Sequence, residues 1–337
     1  MEFEVSIVKG KTVYDLVHAN IGECVRIVKE AYLAHGEGLT VNPDSHFLRF
    51  PDNPRARIIA LPAFLGAASG VAGIKWIASF PDNVRHGFPR ASAVLVLNDY
   101  ATGYPFAILE SSVISAARTA GSAVLAAEWL NHQERHQHTL GIVGTGLIAR
   151  YVYRFLLATG WTIEHLRLFD ATPAGAETFR STFVRPDAHR SVAVADDLPS
   201  LLRQSSMIVL TTTAGTPHIL DPDLLAHCPI VLHLSLRDLA PEILLGADNI
   251  VDDVEHVMKA NTSPHLLEQG VGHRRFVTGT IAELMTGRCC LDRRKPAIFS
   301  PFGLGVLDLA VGKWVYDQAV AAGEDLRLTD FFYDMTR

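Results

Sequence analysis

Cysteine is scarce in this chain. Cys24, Cys228, Cys289 and Cys290 are the four among 337 residues, none in a C-x-x-C spacing and two of them adjacent. That leaves neither a disulfide framework nor a cysteine-built zinc site to read. Basic charge is short as well. Thirty Lys and Arg stand against 36 Asp and Glu, a net charge of −6, which argues against a nucleic-acid surface, and no block of like charges forms a tail. The longest apolar stretches meet Gly, Pro or a charge before reaching membrane-spanning length. The first residues, MEFEVSIVKGK, lack the basic, apolar and small-residue order of a signal peptide, so a cytoplasmic location is expected. There is no Ser-His-Asp order, P-loop, EF-hand pattern, internal repeat or low-complexity tract. What remains is 48% hydrophobic and 20% charged, long enough to bury two cores.

The most informative stretch is TLGIVGTGLIA, Thr139–Ala149. A short apolar run enters Gly144-Thr145-Gly146, and a helix-like segment, Leu147 to Leu157, follows. The first glycine permits the tight turn and the second lets a pyrophosphate approach the backbone. Ala149, in the third place, is small enough for helix and strand to pack closely. The helix N-terminus offers free N–H groups to the phosphates. A second strand, Ile163–Phe169, ends in Asp170, 24 residues after Gly146, about where a carboxylate that accepts ribose hydroxyls belongs. The spacing predicts a dinucleotide-binding domain. A carboxylate there repels a 2′-phosphate, so the expected cofactor is NAD rather than NADP.

The rest of the chain is organised around that turn. Apolar residues at helical spacing between 12 and 35 predict one or two opening helices. Arg57–Leu61, Val71–Ser79, Ala91–Leu97 and Tyr104–Leu109 read as strands of a mostly antiparallel sheet, with a hairpin turn over Asn98–Gly103. Glu110–Leu130 reads as a long Ala-rich helix on which Ser111, Ser115, Arg118 and Ser122 share one stripe. Asn131–His138 reads as a polar linker. Beyond it, Ser191–Val194, Met207–Thr212, Ile230–Leu234, Asn249–Asp252 and Ala297–Ser300 predict further strands, and Leu304–Ala322 a long closing helix. The expected fold is α/β: a doubly wound parallel (Rossmann) sheet over 131–303, plus an α+β domain built from 1–130 and 304–337.

Charges placed where apolar residues dominate are the candidates for chemistry. Lys75, in VAGIKWIAS, is the only charged residue between Arg57 and Asp82. A desolvated lysine can polarise a carboxylate or exchange protons near neutral pH, and a half-exposed strand lysine is the alternative. Arg118 offers a planar fork for a substrate carboxylate, or a structural ion pair tying the helix to the sheet. Arg49, in the loop-like HFLRFPDN, is a second carboxylate candidate or an ordinary loop arginine. Asp238 follows the strand Ile230–Leu234, and Thr211, Thr212 and Thr213 end another, at the strand ends that face the ligand crevice of a doubly wound sheet. Helix capping and simple filling of a strand end are the alternatives. The histidine-rich HQERHQH at 132–138 has no partnering cysteine or carboxylate pattern and reads as a solvated linker; no metal is expected.

Taken together, GIKWIAS, RASAVLVLND, ESSVISAARTAGSAVLAA and IVGTGLIA resemble the ornithine cyclodeaminase/μ-crystallin family, in the order of a catalytic-domain sheet, an ARTA helix, the nucleotide fold and a closing helix. The likeness runs from about Arg49 to the last helix. Within the family, RIIALP, SGVAGIKWIAS, LNDYATGYPFAILESSVIS and the pairing of LSLRDL with SPFGLGVLDLA are most similar to the branch that cleaves N-(2-amino-2-carboxyethyl)-L-glutamate for siderophores of the staphyloferrin B type. The resemblance implies a homodimer acting on a small amino-acid substrate. It implies substrate binding by Arg49, Lys75 and Arg118, and catalysis by Lys75 and Asp238. It implies cofactor contacts at Arg118, Thr119, Gly144, Thr145, Gly146, Leu147, Ile148, Asp170, Thr211, Thr212, Thr213 and Ser235. One departure stands out. Ornithine cyclodeaminases carry the catalytic aspartate in a GGD-type turn followed by Gly-Lys, whereas this chain reads SLRDLAPE, which suits a different amine. The implied reaction is NAD-dependent oxidation to an imine and hydrolysis to 2-oxoglutarate and L-2,3-diaminopropionate. The alternatives are an ornithine cyclodeaminase, a related amino-acid dehydrogenase or imine reductase, and a μ-crystallin-like nucleotide-dependent binding protein.

Overall fold

The computed structural model describes residues 4–66 and 70–332. The chain forms two compact units. One comprises the residues up to Arg118 and those from Leu304 onward, and the other is Thr119–Gly303.

The first unit opens with β1 (Val5–Val8), α1 (Gly10–Ala19) and α2 (Ile21–Gly36), whose apolar positions recur every three or four residues and are buried on one side. Then come β2 (Thr40–Val41), β3 (His46–Phe50), β4 (Asn53–Leu65), β5 (Val71–Ser79), β6 (Ala91–Asp99) and β7 (Pro105–Glu110). Strict alternation sets the faces. On β6, Ala93, Leu95 and Leu97 are buried, while Val94 points the other way and is 42% exposed. Helix α3 (Ser112–Leu130) leaves this sheet, and the division between the units falls within it.

The second unit is built on β8 (His136–Val143), α4 (Leu147–Ala158), β9 (Thr162–Phe169), α5 (Pro173–Phe183), β10 (Ser191–Val194), α6 (Leu198–Gln204) and β11 (Met207–Leu210). It continues through β12 (Ile230–His233), α7 (Pro241–Leu245), β13 (Asp248–Val251), α8 (Val254–Val257), α9 (Ser263–Val271), β14 (Val277–Thr280), α10 (Ile281–Met285) and β15 (Ala297–Ser300). Its strand order is β10-β9-β8-β11-β12-β15-β13-β14, and every pairing is parallel. This is the expected doubly wound sheet, and the chain reverses direction across it between β8 and β11. Four-residue strands such as β11 and β12 are buried throughout, as strands covered on both faces must be.

From Leu304 the chain returns to the first unit as α11 (Gly305–Ala322) and β16 (Leu326–Leu328). The first sheet then runs β16-β1-β7-β6-β5-β4-β2, with β3 also on β4; it is antiparallel except where β1 pairs β7. Helix α11 lies over β4, β5 and β6 and against α1 and α2, so its first two turns are buried on every side.

Several elements differ from the sequence reading. Strands β1, β3, β14 and β16 have no counterpart in it, because runs of three to five residues carry too little periodicity. HFLRF is a strand and not a loop: pairing with β4 decides it. The linker ends early, since His136 already opens β8. Among the described residues no helix is long and apolar enough to cross a membrane.

Gly73 shows how closely α11 and the sheet are fitted. A Cβ at this position would lie 2.3 Å from the Val96 carbonyl oxygen and 2.8 Å from Leu309 Cδ2. Gly73→Ala is therefore expected to lose about 1–3 kcal/mol through overpacking, read as a lower midpoint in chemical denaturation. An unchanged midpoint would show that the sheet yields there at no cost.

Candidate active site

Lys75 sits at the centre of β5, where its strand partners are Leu61 on β4 and Leu95 on β6. Alternation turns it inward under α11, and it is 1% exposed. An ammonium there needs a counter-charge, and α11 provides one. Nζ donates to Asp308 Oδ2 at 2.7 Å and to Ser115 Oγ at 3.3 Å. Asp308 is fully buried, and its Oδ1 takes Arg118 Nε at 3.4 Å. The stripe on α3 thus delivers Ser115 and Arg118 to one lysine–aspartate pair. Burial lowers the Lys75 pKa, Asp308 raises it and Arg118 lowers it again, leaving it at about 8. Such a lysine changes protonation close to physiological pH.

Arg49 is exposed on β3, with its guanidinium 5.3 Å from the centre of the Phe47 ring. It does not join the buried cluster. Register places it on the same sheet face, however: Arg49 is opposite Arg57, and Arg57 shares the pleat side of Leu61, the partner of Lys75. That face therefore carries Arg49, Arg57 and Lys75, with Arg118 reaching it from α3.

In the second unit the glycine turn lies at the carboxyl end of β8. Gly144 has φ of +83°, and a Cβ on it would come within 2.8 Å of the Thr211 carbonyl oxygen, so only glycine fits. At Gly146, the N-cap of α4, a Cβ would meet nothing within 4 Å, and no side chain caps the helix. The N–H groups of Leu147, Ile148 and Ala149 have no acceptor within the helix. The turn thus presents open space and backbone donors where a diphosphate needs them. Asp170 secures it: Oδ2 accepts from the Thr145 N–H and Oγ1, both at 2.8 Å, and Oδ1 accepts from the Thr172 N–H and hydroxyl. Partial burial raises the Asp170 pKa, but these donors outweigh it and hold the carboxyl below the usual range.

Thr211 does not point its hydroxyl at free space, since Oγ1 donates to the Gly144 carbonyl at 2.6 Å and ties β11 to the turn. Thr212 and Ser235 both donate to the fully buried Asp238, one to each oxygen. His233, also fully buried, stands with Nε2 3.3 Å from Asp238 Oδ2 and Nδ1 3.1 Å from Ser300 Oγ; His218 Nε2 lies 3.7 Å from Oδ1. Burial raises the Asp238 pKa, while His233, Ser235 and Thr212 more than compensate, so the carboxylate stays ionised. Leu236, two residues before this aspartate, takes φ of +76°. Arg237 pins the loop to the Ala260 carbonyl.

The sequence reading missed Asp308, His233, Ser300 and Arg57. Asp308 left a signal of the kind that singled out Lys75: it is the only charge between Gly305 and Lys313 on an otherwise apolar helix. His233 closes an apolar run, and nothing in its spacing announces Asp238 as its partner.

Known proteins resemble this chain over most of its length. N-((2S)-2-amino-2-carboxyethyl)-L-glutamate dehydrogenase of Staphylococcus aureus is 28% identical over 303 residues, spanning 88% of this chain and 89% of that one. An archaeal alanine dehydrogenase dimer with bound NAD superimposes with a TM-score of 0.85 at 25% identity, over 98% of this chain and all of the other. The Δ1-pyrroline-2-carboxylate reductase of Thermococcus litoralis, solved with NADH and L-proline, shares the fold, with a TM-score of 0.87 at 21% identity over 96% and 99% of the two chains. The profile of the ornithine cyclodeaminase/mu-crystallin family matches residues 11–323, and the chain belongs to that family.

Proposed function

We propose that this protein is an NAD-dependent enzyme that oxidatively cleaves N-(2-amino-2-carboxyethyl)-L-glutamate to 2-oxoglutarate and L-2,3-diaminopropionate, a building block for siderophores. The observation that carries the reading is Lys75, a buried lysine poised near neutral pH on a sheet face that also holds Arg49 and Arg57, with Arg118 beside it. Three arginines around Lys75 suit a substrate with three carboxylates better than they suit alanine or ornithine, which have one each. The 28% identity to the Staphylococcus aureus dehydrogenase supports the same choice.

NAD⁺ would be held by the N–H groups of Gly146, Leu147 and Ile148 with its adenine ribose toward Asp170, and it supplies the acceptor for a hydride from the glutamate α-carbon. The C–N bond becomes C=N, water adds to that carbon, and the C–N bond breaks. In balance, substrate, NAD⁺ and water give 2-oxoglutarate, diaminopropionate, NADH and a proton. Arg49 and Arg118 hold carboxylates. Lys75 moves the proton: in its neutral form it accepts one from the substrate amine or from the attacking water. Asp238 has donors on both oxygens, and its part is to hold Thr212 and Ser235 in place rather than to act as the free base. The unit containing Lys75 serves as the substrate and dimerisation domain, and the parallel-sheet unit as the nucleotide domain. Trp76 is 41% exposed beside Val94 on the face of the sheet away from α11, an apolar strip that a second copy would cover.

Four outcomes are expected. With NAD⁺ and N-(2-amino-2-carboxyethyl)-L-glutamate, absorbance at the NADH band grows together with 2-oxoglutarate, and L-ornithine and L-alanine give neither. Proline from ornithine without net NADH would instead make the protein a cyclodeaminase, and NADH from alanine would make it an alanine dehydrogenase. Lys75→Ala lowers kcat/KM by about 10²–10⁴-fold with NAD⁺ affinity, followed by fluorescence titration, unchanged. In the native enzyme kcat/KM rises through about pH 8 as Lys75 loses its proton. In Asp308→Asn the carboxylate that favours the ammonium is gone, so this limb moves to lower pH; a limb that stays put would assign it to another group. Trp76→Glu converts a dimer to a monomer in light scattering, and a native monomer would remove the apolar strip from the interface.

A further inference from the structure

HQERHQH is the one conspicuous motif that the proposed reaction leaves unused. His136 and His138 lie two residues apart on β8, both exposed, so alternation puts both rings on one face of the sheet. The neighbouring strand brings Glu164 and His165 to them. His138, Glu164 and His165 each offer a ligand atom, all within 4.8 Å of one another. The His138 and His165 rings stand edge to face with centroids 4.9 Å apart, and His138 Nδ1 is 3.5 Å from Glu164 Oε2. His136 Nε2 reaches the other oxygen, Oε1, at 3.1 Å. His165 Nδ1 is occupied by Ser191 Oγ at 2.8 Å, which orients the ring in the way that an outer partner orients a metal-bound imidazole.

We propose that His138, Glu164 and His165 form a site for a divalent transition metal ion of the zinc class, clipping β8 to β9, with solvent in the fourth position. Two imidazoles and a carboxylate are a ligand set that zinc accepts. Bonds of about 2.0–2.1 Å in a tetrahedron place ligand atoms roughly 3.4 Å apart, so the side chains close by about an ångström, a rotation that half-exposed groups make freely. Arg190 opposes this. Its guanidinium holds Glu164 Oε2 at 2.7 Å, the same oxygen that faces His138, and an arriving ion displaces it. The site is separate from the nucleotide turn. His138 lies near the start of β8 and Gly144 past its end, about 20 Å away at the rise of a strand. It therefore does not depend on the proposed reaction.

The test is isothermal titration of tag-free, full-length protein with ZnCl₂, and of the same protein with CoCl₂ in a spectrophotometer. One ion per chain is expected, with tetrahedral cobalt bands and no thiolate charge transfer. His138→Ala and His165→Ala each weaken binding by at least the about 10–100-fold that loss of an outer partner costs. Arg190→Ala tightens it, because the competing cation is gone. Unchanged affinity in both histidine variants, weaker binding in Arg190→Ala, or a thiolate band from Cys289 and Cys290 would overturn the assignment.

Discussion

Burying an ammonium group costs several kcal/mol of lost hydration unless a counter-charge meets it, and Lys75 is 1% exposed in the middle of an apolar sheet. Asp308 meets it from a helix 233 residues further along. Much of the first unit follows from that pairing. Helix α11 must return to the sheet that the N-terminal segment built, and its first turns must lie directly on β4 and β5. The small residues at the contact, Gly73 on the sheet and Gly305 and Gly312 on the helix, allow the close approach. Arg118 then completes a triad in which two cations share one carboxylate. Two cations against one carboxylate leave net positive charge in a buried place, which is poor for stability and good for holding an anion.

Carboxylates do different work in the second unit. At the carboxyl edge of a parallel sheet, turns and helix starts collect backbone N–H groups that the ladders do not satisfy. Asp170 takes those of Thr145 and Thr172, and Asp252 takes those of Asp253, Phe302 and Gly303. Asp238 takes hydroxyls from the ends of β11 and β12. The balance of burial against donors differs among the three. Asp170 and Asp238 are held below the usual carboxylate range, whereas burial pushes Asp252 up despite its three donors. All three brace loops at the carboxyl edge of the parallel sheet, the edge where doubly wound sheets bind their ligands.

The SLRDLAPE loop carries a conformational cost. Leu236 takes the left-handed backbone conformation that a glycine would adopt without cost, and a non-glycine residue held there is strained by about 1–3 kcal/mol. The strain is sustained by neighbours: Ser263 N–H donates to the Leu236 carbonyl, and Arg237 is fixed on the Ala260 carbonyl.

The glycine turn, the parallel alternation and the isolated Lys75 and Arg118 were legible because each is a local pattern. A tight turn needs glycine at Gly144, a buried strand needs an apolar run, and a lone charge in such a run is conspicuous at once. Short strands such as β3 and β16 were not legible, since three to five residues acquire a conformation only from the strand they pair with. Partnership was hidden for the same reason. His138 gave no hint of Glu164 and His165, and Asp238 none of His233, because contacts across a sheet depend on register and strand order, not on distance along the chain. The sequence by itself determined which residues could carry charge, turn or chemistry. Only the tertiary structure decided which of them meet, because a buried charge is stable solely where folding brings its partner to it.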